Sequence, residues 1–241
     1  MNAKDRIIVA LDVDSYEKAE SLVDMLRDEV GAFKVGLELF NKTGPEIFQK
    51  LKNLGADKIF YDAKFMDIPN TVAGAMNTAV QNGVWMINVH CLGGIEMMKR
   101  AKESAVKTSE SLGIPCPLVI GVTILTSIDQ PTLNNELRIC GAMGDQVMHL
   151  AECAKIAGLD GVVASPHEIS LIRKTCCENF IVVTPGVRPA GSDVADQKRI
   201  KTPAESIQLG SDFLVIGRPI IADENPVESA RNIAKEIESV L

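Results

Sequence analysis

Short runs rich in β-branched and other apolar residues recur along the whole chain, and most lead into a segment of helical length and periodicity. The strand candidates are Arg6–Leu11, Ala32–Val35, Lys58–Tyr61, Trp85–Val89, Leu118–Val122, Gly161–Ala164, Phe180–Val183 and Phe213–Ile216. Helical segments include Tyr16–Arg27, Pro45–Leu54, Thr71–Asn82, Gly94–Lys107, Asp145–Ala157 and Pro226–Val240. Gly31, Gly55, Gly83, Gly158 and Gly210 stand where helices should stop before the next strand. Neither a linker, a low-complexity segment nor a second composition regime interrupts the alternation. Eight strand–helix units predict an α/β chain folded as one (β/α)8 TIM barrel spanning residues 1–241. An open doubly wound sheet is the competing architecture.

Composition narrows the partners. A 241-residue chain with 46% hydrophobic residues can build a sizeable core, and its formal net charge of -7 argues against nucleic acid or an anionic membrane as a partner. A small anionic substrate stays open, because a few Lys and Arg side chains can reverse the sign inside one cleft. The first apolar stretch is too brief for a signal peptide or a membrane span, so the expected compartment is the cytoplasm. The six cysteines show neither CxxC spacing nor a zinc-like His pattern and read as reduced thiols.

Nearly every strand candidate ends in a polar or conformationally special residue: Asp12, Lys34, Asp62, His90, Thr123, Ser165, Thr184 and Gly217-Arg218. In a parallel barrel the carboxyl ends of the strands converge on one mouth, where active sites are built. One aspartate at a strand end is ordinarily a helix cap, and Asp14-Ser15 can take that duty for the first helix. Eight such ends together favour an enzyme.

The densest cluster is Asp62-Ala63-Lys64-Phe65-Met66-Asp67-Ile68-Pro69-Asn70-Thr71. If the third strand continues through Lys64, Asp62 and Lys64 share one face, with Lys34 ending the neighbouring strand. The bland reading of an Asp-x-Lys-x-x-Asp spacing is a rim of weak salt bridges; the other strand ends beside it favour a site. A second cluster, Thr184-Pro185-Gly186-Val187-Arg188 with Gly217-Arg218-Pro219, follows the last two strands, where barrels bind phosphate. Here the plain alternative is a turn with solvated arginines. The polar stretch Pro189–Ile200 is a candidate lid. His90 is expected to be a hydrogen-bonded wall residue, and neither a Walker loop, a GxGxxG before a helix nor an HExxH offers a cofactor cradle.

Seven segments in order carry a resemblance: Ile8-Val9-Ala10-Leu11-Asp12, Phe33-Lys34-Val35-Gly36, Asp62 through Val72, Leu125-Thr126-Ser127, Thr184 through Pro189, Asp196-Gln197-x-Arg199 and Val215 through Pro219. With these the chain resembles the bacterial orotidine 5′-phosphate decarboxylases over essentially its whole length. The resemblance implies that Lys64 donates a proton to C6 of the pyrimidine, within an alternating charge network of Lys34, Asp62 and Asp67. It assigns the ribose to Asp12 and Lys34, the base to Thr126 and Pro185 with Ser127 nearby, and the 5′-phosphate to Arg188, Gln197, Gly217 and Arg218. It further implies a homodimer with shared sites, in which the partner supplies Asp67, Ile68 and Thr71, and a reaction without metal or cofactor. The related sugar-phosphate lyases, 3-keto-gulonate-phosphate decarboxylases and hexulose-phosphate synthases, are similar but hold Mg2+ and carry an acidic residue where Lys34 stands. A Schiff-base aldolase fits poorly, since a lysine flanked by carboxylates is a poor neutral amine. A catalytically silent phosphate-binding barrel is the alternative outside enzymes.

Overall fold

The computed structural model describes residues 1–189 and 201–241. Eight parallel strands close into a barrel in sequence order: β1 (Ile7–Ala10), β2 (Ala32–Val35), β3 (Ile59–Phe65), β4 (Met86–His90), β5 (Leu118–Val122), β6 (Gly161–Val163), β7 (Ile181–Pro185) and β8 (Phe213–Ile216). Around them lie α1 (Tyr16–Leu26), α2 (Leu37–Thr43), α3 (Glu46–Asn53), α4 (Pro69–Gln81), α5 (Gly94–Leu112), α6 (Met143–Ile156), α7 (Ile169–Thr175), α8 (Pro203–Gln208), α9 (Arg218–Ile221) and α10 (Pro226–Glu238). The closed ring rules out the open doubly wound sheet. Among the described residues no helix is long and apolar enough to cross a membrane.

Period-two alternation divides the strands between two apolar compartments. Ile8, Ala10, Phe60, Met86, Ile120, Val183 and Val215 pack together in one buried cluster, the barrel interior. Their neighbours Ile7, Val9, Tyr61, Ile87, Val119, Val182 and Ile216 join the larger cluster beneath the helices. Burial on both faces explains why the strands read as apolar runs rather than alternating ones.

β3 runs four residues beyond the expected Tyr61 and is irregular there. Its register with β4 passes from Tyr61↔Ile87 to Phe65↔Val89, so Asp62, Ala63 and Lys64 stand opposite Asn88 alone. Lys64 takes the left-handed conformation, φ 51°. α4 opens at Pro69, which the sequence allows as a helix start although the helical periodicity sets in only at Thr71, because a proline at the first turn loses no helical hydrogen bond.

At the opposite end of the barrel one device occurs twice. Asp160, just before β6, donates its N–H to Val119 O (3.0 Å), while its carboxylate accepts from Val119 N (2.7 Å) and pairs with Lys102 of α5 (2.6 Å). Asp212, just before β8, repeats this with Val182 (2.9 and 2.8 Å) and Arg173 of α7 (2.6 Å). Each aspartate extends the strand ladder and ties it to the helix that precedes the neighbouring strand, α5 before β5 and α7 before β7. Arg173 also donates to the carbonyls of Gly210 and Phe180 and so keeps partners if Asp212 is lost. Asp212→Ala is therefore expected to cost about 2–3 kcal/mol, chiefly through the orphaned Val182 N–H. Urea unfolding measures this; an unchanged midpoint would remove the aspartate from that role.

Candidate active site

Four ionised side chains alternate in sign across the carboxyl ends of β1, β2 and β3. Lys34 Nζ lies 2.8 Å from Asp12 Oδ1 and 3.4 Å from Asp62 Oδ2, and Lys64 Nζ lies 2.7 Å from Asp62 Oδ1. The barrel itself sets this order. Asp12 follows β1, Lys34 is an inward position of β2, and Asp62 continues the inward row of β3 two residues after Phe60. Ser15 caps α1 by accepting from Lys18 N–H at 3.3 Å, so Asp12 is not used as that cap.

Burial governs the electrostatics. Lys34 is only 6% exposed. Burial alone would lower its pKa, but the carboxylates of Asp62 and Asp12 outweigh that effect and raise it. For Asp62, burial pushes the pKa up; Lys34, Lys64 and hydrogen bonds from Lys64 and Asn88 prevail and hold it below the ordinary carboxylate value. Both groups are thus kept charged in a poorly solvated place.

These charges line a cavity of about 300 Å3 at the barrel mouth. Asp12, Lys34, Asp62, Lys64, Thr126, Ser127, Pro185, Arg188, Gly217 and Arg218 all face it, so most of the expected site residues converge. Apolar walls come from Phe60, Val122, Ile124, Val163, Ala164 and Val215. Gly186, at φ 79°, turns the chain in a conformation that disfavours side chains and brings Arg188 to the rim. Arg188 donates its backbone N–H to Lys201 O at 3.0 Å and Val187 bridges to Lys201, so the chain leaves at Pro189 and returns beside its exit.

Other expectations fare differently. Asp67, Ile68 and Thr71 are exposed and do not line the cavity of their own chain. Asp67 Oδ1 accepts the Ile68 N–H at 2.6 Å and makes no ion pair among the described residues. Gln197, with the rest of the candidate lid from residue 190 to residue 200, lies outside the described residues. Thr123 and Thr184 do not face the cavity: Thr123 hydroxyl bonds to Val163 O, and Thr184 accepts from Ser211. Ser165 Oγ accepts the His167 N–H and also stays out of the lining. His90 is half-buried, and its Nδ1 has no hydrogen-bond partner among the described residues, contrary to the expected wall contact. Burial, and then the charge of Lys64, lowers its pKa. Asn88, to which the sequence reading assigned no role, bonds both Lys64 and Asp62 (2.7 Å each). Its signal was available: a polar residue two positions after Met86, on the inward face of β4.

The family model described as "Orotidine 5'-phosphate decarboxylase / HUMPS family" matches residues 5–233. A Moorella thermoacetica protein named orotidine 5′-phosphate decarboxylase is 51% identical over 240 residues, covering 100% of this chain and 95% of that protein. A Syntrophomonas wolfei protein of the same name is 48% identical, with 99% and 100% covered. Among solved structures, the orotidine 5′-phosphate decarboxylase of Lactobacillus acidophilus superposes with a TM-score of 0.85 at 37% identity, covering 96% of this chain and 98% of that one.

The pKa directions have a measurable consequence. Because the folded value of Asp62 is depressed, its contribution to stability is complete above the unfolded carboxylate value of about 3.9 and is lost as pH falls through the folded value. Lys34, with a raised value, contributes fully below the unfolded lysine value and loses this as pH rises through the folded one. Urea unfolding of Asp62→Asn should therefore show a shallower acid loss than wild type below about pH 4. Parallel acid limbs would contradict a depressed Asp62.

Proposed function

The chain belongs to the orotidine 5′-phosphate decarboxylase / HUMPS family, and from this we propose that it decarboxylates orotidine 5′-monophosphate to uridine 5′-monophosphate and CO2, the last step of de novo UMP synthesis. The observation that carries the reading is the alternating row Asp12–Lys34–Asp62–Lys64 on a cavity that Arg188 and Arg218 also line. It suits a substrate with a reacting ring at one end and a phosphate at the other.

Cleavage of the bond between C6 and the carboxylate leaves the electron pair in an sp2 orbital in the ring plane, out of conjugation with the π system. Most decarboxylases delocalise such charge into a cofactor. Here fixed charge replaces the electron sink: the Lys64 ammonium faces the developing carbanion and delivers its proton to C6 as CO2 departs. Asp62 keeps Lys34 charged and pairs with the ammonium groups of both Lys34 and Lys64. Asp12 and Lys34 hold the ribose hydroxyls, Thr126 and Pro185 the base, and Arg188 and Arg218 the phosphate, with Gly217 giving close backbone approach and Gln197 completing the grip. Phosphate binding energy then orders the charged row. No metal or cofactor takes part. Lys34, paired with two carboxylates, also speaks against the magnesium-dependent branch, which carries an acidic residue there.

We place the reaction in the cytoplasm, in a single-domain subunit of a homodimer. Asp67, Ile68 and Thr71 reach the site of the partner rather than their own, which accounts for their exposure. Leu37, Met66, Ile68, Leu92 and Ile95 form exposed apolar surface after β2, β3 and β4, where the partner would seat.

The direct test is loss of orotidine-monophosphate absorbance with EDTA-treated protein. Turnover that survives chelation supports the reading; metal-dependent lysis of a sugar phosphate overturns it. Lys64→Ala should lose turnover yet keep much of its affinity for uridine monophosphate, since a proton donor acts chiefly in the transition state. Near-normal turnover would remove Lys64 from the role.

Shared sites have their own signature. Lys64→Ala and Asp67→Ala homodimers should each be nearly inactive, whereas a mixed dimer holds one doubly lesioned site and one intact site. Co-refolding equal amounts makes about half the dimers mixed and should restore about a quarter of wild-type activity. No recovery, with subunit exchange confirmed, would exclude Asp67 acting across the interface.

A further inference from the structure

Asn88 is 1% exposed and lies outside the cavity lining, yet it touches two members of the charged row. Its Oδ1 accepts the backbone N–H of Lys64 at 2.7 Å, and its Nδ2 donates to Asp62 Oδ1 at 2.7 Å. Asp62 Oδ1 is also the oxygen that holds Lys64 Nζ at 2.7 Å. Asn88 thus binds the lysine at its backbone directly and at its ammonium through one shared oxygen.

The bulge explains why such a residue is needed. Where Asp62, Ala63 and Lys64 stand opposite Asn88 alone, the regular β3–β4 pairing is interrupted. At this gap Lys64 adopts φ 51°, which L side chains rarely hold without support. A buried N–H left without an acceptor would be costly, and the Asn88 carbonyl oxygen meets it. The amide orientation follows from its neighbours, since a carboxylate demands a donor and an N–H demands an acceptor. An apolar side chain could fill the space but could serve neither group.

We propose that Asn88 is a positioning residue that aims the Lys64 ammonium at the reacting carbon by gripping the Lys64 backbone and the Asp62 carboxylate together. The inference rests on the proposed decarboxylation and adds a residue that does not touch the substrate. Its effect should therefore appear in turnover and not in ligand affinity. Lys34 and Asp12, which hold the ribose side of the row, keep their own pairing without Asn88.

The test compares Asn88→Ala and Asn88→Asp with wild type for turnover of orotidine monophosphate and for the dissociation constant of uridine monophosphate, with circular dichroism to verify the fold. Asn88→Ala should lower kcat by about 100-fold, as for a misplacement near 1 Å, while affinity for uridine monophosphate changes by less than about 3-fold. Unchanged kcat, or equal losses in kcat and affinity, would overturn the proposal. Asn88→Asp keeps the shape and the acceptor but can donate to Asp62 only while the new carboxyl is protonated. Asp62 and Lys64 on β3 touch it, the charged row runs on from Asp62 to Lys34 on β2 and Asp12 after β1, and His90 follows two residues along β4. Two adjoining carboxyls retain a shared proton at lower pH. Turnover of Asn88→Asp relative to wild type should thus be greatest at the acid end and fall as pH rises, an effect that lost packing alone would not produce. Parallel pH profiles would overturn the proposal, and they do so even if Asn88→Ala does not fold. Wild-type protein that fails to decarboxylate the substrate would instead overturn the underlying function.

Discussion

Almost every feature of the barrel mouth refers back to the carboxylate of Asp62. One oxygen holds Lys64 and Asn88 and the other approaches Lys34, so a single group joins β2, β3 and β4. A buried anion is costly unless ion pairs and hydrogen bonds surround it. In this barrel the compensating partners are the groups that face the cavity or support those that do. Removing the anion would leave two ammonium groups facing each other at the rim of an apolar interior. The arrangement is hence cooperative in the ordinary physical sense that each charge is tolerable because of the next.

The fold makes this possible by layering. Below the cavity the interior is filled by Ile8, Met86, Ile120, Val183 and Phe213, with Phe60 at the boundary between the two. Further along the same inward rows the side chains become Lys34, Asp62 and Asn88. The polar layer therefore has an apolar floor and an open top. Below the floor, the Asp160 and Asp212 stitches tie strands to helices at the end remote from the chemistry. Ladder integrity and reactive geometry are thereby assigned to opposite ends of the barrel.

Much of this was legible in the sequence because eight strand–helix units leave few closed solutions, and because inward positions follow from period two. Three strand candidates, Ala32–Val35, Leu118–Val122 and Phe213–Ile216, agree with the structure residue for residue. Period two held along β3, where Asp62 and Lys64 both face the cavity, but the strand's end was set short at Tyr61: a rule based on regular pairing carries no term for a ladder that continues through a bulge to Phe65. Strand-end polarity also over-counted. Thr123, Ser165 and Thr184 are polar because they satisfy neighbouring backbone or hydroxyl groups, and residue type alone does not separate that duty from ligand binding. Asn88 was passed over for the converse reason, since its work is done on another residue's backbone.

The left-handed backbone at Lys64 bears on how such a chain changes over generations. An L residue in that conformation is less comfortable than glycine by roughly 1 kcal/mol, and asparagine tolerates it better than lysine does. The fold by itself thus favours losing the lysine. On the proposed mechanism, it is selection for proton delivery that keeps a long β-carbon-bearing side chain at this point of the bulge. In a lineage released from that selection, position 64 should be among the first of the charged row to drift, and its drift toward small or turn-forming residues would mark a barrel that has stopped doing chemistry.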